Sequence, residues 1–154
     1  MDRLKCSLRA VTDDDRSMIA LLADETLRPL AAGAGHPERY HAEELIDLLD
    51  RAEVYVAEAE GEVAGFVAVE AEDDALAVRC VCVNPAFEAR GVANQMLDWA
   101  EGVGIDRGMT RLTARVPVAD HPSRHLYQRH EFCALGEPSD EMLRLEKRLP
   151  HVED

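Results

Sequence analysis

No apolar run in this chain approaches the roughly 18–20 residues that cross a bilayer, so no membrane-spanning helix is expected. The opening residues Met1-Asp2-Arg3-Leu4-Lys5-Cys6 lack the apolar core of a secretory signal, and a cytoplasmic location is the expectation. Positive charge is scarce: 17 Lys and Arg stand against 31 Asp and Glu, a formal net charge of -14. Only Lys5 and Lys147 are lysines; the other basic residues are arginines. That balance excludes the basic face needed for non-specific binding to nucleic acid or an anionic membrane. It suits a cationic substrate, or serves solubility alone. Metal-ligand spacing is missing too. Of Cys6, Cys80, Cys82 and Cys133, only Cys80 and Cys82 are close, and they are spaced C-x-C. No second close pair completes a zinc site. Within an apolar strand pattern they read as small core residues on one face. Repeats, low-complexity tracts and interdomain linkers are absent. With 154 residues and 47% hydrophobic content, the chain 1–154 reads as one domain able to bury a core.

The elements follow from periodicity and breakers. Cys6–Val11 alternates as a short first strand. Thr12 followed by Asp13, Asp14 and Asp15 marks a helix N-cap with acids in the first turn. The stripe Met18, Ile19, Leu21 and Leu22 predicts a helix to about Leu27, broken by Pro29. A second helix is expected from Pro37 or Glu38 to about Arg51. Val54–Glu58, Val63–Val69 and Leu76–Val83 read as a three-strand meander, with Glu60-Gly61 a hairpin signal. The alternation falters around Arg79 and Cys80, which is compatible with a bulge. A helix to about Asp106 or Arg107 stops at Gly108. Leu112–Val116 is a strand, Ser123–His130 a short helix, and Phe132–Leu135 and Met142–Leu149 are closing strands.

The stretch from Val81 to Asn94 organises the rest. Pro85 has no N–H, so strand pairing stops there. Gly91 and Ala93 open a helix whose stripe is Val92, Met96, Leu97, Ala100 and Val103. A strand therefore runs through a tight loop into a helix N-terminus. Unpaired N–H groups and a partial positive charge at such an end suit a phosphate. Small residues let the backbone approach it. The same pattern also reads as an ordinary strand-to-helix turn.

This order of elements resembles the GNAT superfamily of acyl-CoA-dependent N-acyltransferases across nearly the whole chain. Glu88-Ala89-Arg90-Gly91-Val92-Ala93 resembles the family's [Gln/Arg]-x-x-Gly-x-[Gly/Ala] cofactor signature, placed after Val81-x-Val83-x-Pro85. Ser123-Arg124-His125-Leu126-Tyr127-Gln128-Arg129-His130-Glu131-Phe132 resembles its small-x-x-Leu-Tyr-x-x-x-Gly-Phe run. The resemblance implies an α+β fold: three α/β/α layers around a mixed, mainly antiparallel sheet that splays at the cofactor site. It implies an N-acetyltransferase that moves an acetyl group from acetyl-CoA to a primary amine of a small molecule or protein. A degenerate acyl-CoA-binding module without catalysis is the alternative, and a homodimer is compatible with either. A transferase acting on charged tRNA conflicts with the net charge of -14. Four departures stand out. Glu88 replaces Gln or Arg, and should either point out of a phosphate cradle or reduce cofactor affinity. Ala89 replaces a frequent glycine, and Glu131 the glycine before Phe132. Asp120 stands where many members have an Asn that touches the cofactor arm.

Residue by residue, the resemblance implies that Val81 and Val83 pair through their backbones with the pantetheine arm, like an added strand. Ala89, Arg90, Gly91, Val92, Ala93 and Asn94 would hold the pyrophosphate, and Ser123 would contact the cofactor. Tyr127 would be the general acid; without the resemblance it reads as a core tyrosine bonded to backbone. Glu70, Asp73, Asp74, His36, His121 and His125 are open choices for a base, and a water chain is another. Arg28, His36, Arg39 and Tyr40 would face the acceptor, or belong to a solvated loop.

Overall fold

The computed structural model describes residues 5–33, 47–48, 50–139 and 141–150, with the side chains of 26–33 left out of account. Seven strands form one sheet in the order β1-β2-β3-β4-β5-β7-β6. They are β1 Ser7–Ala10, β2 Glu53–Ala59, β3 Glu62–Glu72, β4 Ala75–Val83, β5 Arg111–Pro117, β6 Cys133–Ala134 and β7 Met142–Arg148. The β4–β5 ladder is parallel and every other ladder is antiparallel. Among the described residues, three complete helices cover the sheet: α1 Arg16–Gly33, α2 Val92–Asp106 and α3 His121–Arg129. One face buries Ile19, Leu22 and Ala23 of α1 against Val54, Val56, Phe66 and Ala68. The other buries Val92, Met96, Leu97 and Ala100 of α2, with Tyr127 and Phe132, against Val67, Val69, Leu76 and Val78. The result is the expected three-layer α+β fold. Met96 is fully buried, so truncating it to alanine should cost about 2–5 kcal/mol.

Two meander turns form where the acidic and glycine signals stand. Glu60 and Gly61 both take positive φ (55° and 77°) in the β2–β3 hairpin. That is the twist-matched form of a two-residue turn. A bulge falls at Arg79. Ala68 pairs with Cys80 and Val69 with Val78, so Arg79 has no partner on β3. A strand alternates faces every residue, and the extra residue resets that alternation. Leu76 and Val78 before the bulge therefore share the α2 face with Val81 and Val83 after it, while Cys80 and Cys82 turn to the α1 face. The two thiols lie 3.8 Å apart there.

Some boundaries differ from expectation. The α1 helix continues past Pro29 to Gly33, because a proline forfeits one backbone bond and the small residues after it let the last turn continue. The short α3 helix starts at His121, two residues early, since Asp120 caps it and Pro122 fits its first turn. The strand expected over Phe132–Leu135 shrinks to Cys133–Ala134, with Phe132 buried instead. The second predicted helix lies mostly outside the described residues; its end is seen, with Ala52 N–H donating to Leu48 O at 2.8 Å.

Candidate active site

β4 and β5 are paired only from Ala75–Arg111 to Val78–Ala114. Past that point, among the described residues, β4 pairs with β3 alone and β5 with β7 alone, so the two strands part toward their C-terminal ends. The free edge of β4 can be read from one bond: Asn84 N–H donates to Ala64 O at 2.8 Å. The register then makes Cys82–Phe66 and Cys80–Ala68 the hydrogen-bonded pairs. Val81 and Val83 alternate with them, and their N–H and C=O groups face the gap.

Beyond Val83 the chain turns sharply. The Asn84 side chain accepts from Ala86 N–H at 3.1 Å and donates to Val63 O at 3.0 Å, anchoring the 3-10 turn Pro85–Phe87 with Phe87 buried beneath it. Ala89 and Gly91 both take left-handed backbone, φ 61° and 83°. Gly91 is the N-cap of α2, and no side chain caps that end. Glu88 is exposed. Arg90 makes a long, partly exposed ion pair with Glu60 at 3.7 Å, a kind that contributes little and leaves the guanidinium free to re-engage. Asn94 is less free: its Oδ1 meets His130 Nε2 at 2.7 Å.

The α3 helix starts beside the C-terminal end of β5. Asp120, buried, caps it by accepting from Ser123 N–H at 3.1 Å. Tyr127 comes one turn after Ser123 and is 5% exposed, its ring edge-on to Phe132 at 5.0 Å. Among the described residues nothing accepts the Tyr127 hydroxyl proton, so the core-tyrosine reading, in which backbone takes it, has no support there. Burial, and then the neighbouring Cys80 and Asp120, push the phenol's pKa well above its ordinary value. Those two neighbours lie on opposite arms of the gap: Cys80 just past the bulge of β4, Asp120 just past β5. The phenol thus keeps its proton at the root of the opening.

The family model for the Acetyltransferase (GNAT) family matches residues 17–132. The chain belongs to this family. As a GNAT acetyltransferase it takes acetyl-CoA as its donor and acylates nitrogen. Solved structures agree in fold. PaiA N-acetyltransferase from Thermoplasma acidophilum, in complex with coenzyme A, superposes at a TM-score of 0.79 with 16% identity, covering 94% of this chain and 99% of that one. A Bacillus subtilis acetyltransferase in complex with CoA gives 0.73 and 17%, covering 95% and 100%. The IAA acetyltransferase from Bacillus cereus gives 0.73 and 16%, covering 94% and 100%. A search of curated protein sequences finds no match.

Within this acetyltransferase the base choices separate by position. Asp73 and Asp74 precede β4, roughly 20 Å along the strand from Val81, and Asp74 is engaged by Thr110 Oγ1 at 2.8 Å. Glu70 lies on the α1 face, held by Arg79 at 2.9 Å and Arg51 at 3.3 Å. His121 and His125 are exposed on α3. His36, Arg39, Tyr40 and the side chain of Arg28 lie outside the described residues. Among the described residues no group of three or more His, Cys, Asp or Glu could hold a metal ion, and no helix is long and apolar enough to cross a membrane. The His130–Asn94 contact spans 36 residues of sequence, and no local pattern announces it.

Proposed function

We propose that this acetyltransferase moves the acetyl group of acetyl-CoA to a primary amine of a small molecule or protein, with the thioester held at the root of the β4–β5 gap. The observation that carries the reading is the edge of Val81 and Val83 facing that gap, beside a phenol with no hydrogen-bond partner among the described residues. The amide-bearing pantetheine arm fits such an edge as an added strand would. The pyrophosphate fits the open start of α2, over the backbone of Ala89, Arg90, Gly91, Val92, Ala93 and Asn94, with Ser123 alongside on α3. Holding thioester and amine in contact supplies roughly 7–11 kcal/mol of the barrier.

The neutral amine attacks the thioester carbon, the C–S bond breaks, and an amide and a thiol result. Tyr127 gives its proton to the leaving sulfur, and the proton lost from nitrogen restores the phenol through water. For unperturbed groups this transfer is uphill by roughly 2 kcal/mol. Burial raises the phenol's pKa, and a thiol shielded from water beside it would shift in the same direction. The net charge of -14 favours cationic acceptors. The test follows release of free CoA thiol from acetyl-CoA across a panel of amines. Thiol release with one class of amine supports the reading. Tight acetyl-CoA binding with no thiol release from any amine would instead support a binding module without catalysis.

A further inference from the structure

His130 belongs to the Ser123–Phe132 run but has none of the roles assigned there, and it touches both α2 and α3. As the C-cap of α3 its N–H reaches Leu126 O at 3.3 Å and Tyr127 O at 3.1 Å. Its ring, 12% exposed, places Nε2 2.7 Å from Oδ1 of Asn94, the third residue of α2. A carboxamide oxygen only accepts, so Nε2 carries the proton. That fixes the amide. With Oδ1 committed to the ring, the two Nδ2 donors must point away from it. Asn94 itself stands in the first turn of α2, at its uncapped end, and helical side chains lean toward that end. Among the described residues the Nδ2 donors have no acceptor.

We propose that His130 is a positioning residue for the donor's diphosphate: by holding Oδ1 it turns the Asn94 carboxamide so that its N–H groups meet a phosphate oxygen. This rests on the placement of the diphosphate at the start of α2. The hold does not depend on ring charge, because Nε2 keeps its proton in either state. The charged groups around the ring are Asp98 and Glu101 of α2, Arg129 of α3 and Lys147 of β7. Asp98 Oδ1 faces Nδ1 at 3.6 Å, and none of the four competes for Nε2.

The test compares two donors, acetyl-CoA and S-acetylpantetheine, which lacks the diphosphate. The readout is the ratio of their kcat/KM values. His130→Leu should lower that ratio about tenfold, the size of one lost hydrogen bond to a charged group. Asn94→Ala should lower it equally, and the double variant no further, because the two residues act as one unit. His130→Gln, which keeps a donor at that reach, should recover most of the ratio. If the leucine variant does not fold, Asn94→Ala and His130→Gln carry the same comparison. An unchanged ratio, an equal loss with both donors, or additive losses would overturn the proposal. If the wild type itself shows no preference for acetyl-CoA, the diphosphate is not bound at α2 and the reading beneath the proposal fails.

Discussion

Val78 of β4 and Ala114 of β5 are the last pair of the parallel ladder, and the next residue on β4 is the bulged Arg79. One extra residue thus marks the point where the sheet opens.

Deleting Arg79 tests that coupling. Without Arg79, Val78 and Cys80 become neighbours opposite Val69 and Ala68, so the ladder to β3 turns regular and Val81 and Val83 keep their face. What is lost is the local bend and twist of the bulge. The expected result is a folded variant with lowered acetyl-CoA affinity. A deletion variant that binds as the wild type does would show that the bulge is incidental.

Tyr127→Phe removes only the hydroxyl. The ring still packs on Phe132, and no bond among the described residues is lost with the oxygen, so stability should change little. Turnover should fall by roughly 10²-fold or more, the usual size of a lost acid–base group. Burial raises the phenol's pKa, so its ionisation should not limit turnover below about pH 10. A variant with near-normal turnover would end the assignment of Tyr127 as the acid.

Of the non-glycine residues that take left-handed backbone among the described residues, Ala89 at φ 61° and Glu131 at φ 68° stand out. These are the positions where the resemblance leads one to expect glycine. An L-residue there costs roughly 1–2 kcal/mol, partly offset by the greater freedom of an unfolded glycine. Ala89→Gly and Glu131→Gly should each raise stability by about 0.5–1 kcal/mol, read from urea midpoints. A drop in midpoint would mean that the existing side chains make contacts worth more than the strain.

His130 links stability to pH. Burial pushes its folded pKa below the ordinary value of 6.5, so between the two values the unfolded chain binds the proton more readily. Stability therefore rises with pH through that window: the contribution is complete above about pH 6.5 and is lost as pH falls through the folded pKa. Urea unfolding at pH 5 and 7.5 should show a larger loss on acidification for the wild type than for His130→Gln. Equal losses would mean that the ring titrates alike in both states.

Much of this was legible in the sequence because the decisive signals are local. Pro85 ends β4, Gly91 opens α2, and the broken alternation at Arg79 is compatible with the bulge. The Phe132 strand was overestimated because an apolar run reads alike whether it pairs or plugs a core. The course of α1 through Pro29 was missed because a single proline is a strong breaker only on average. The tie between His130 and Asn94 was illegible for a different reason. It depends on how α2 and α3 dock, and that packing is set by tertiary contacts rather than by the residues around either position.

The most direct test of the account is a titration of acetyl-CoA against the wild type and Gly91→Glu, with melting curves to establish that both are folded. Gly91 holds φ 83° at the uncapped start of α2, and a glutamate there sets a side chain and a negative charge where the diphosphate should lie. Saturable binding to the wild type, with none to the folded variant, is the predicted result. Equal affinity for both proteins would contradict the account, since the donor would then bind somewhere other than the gap and the helix start beyond it.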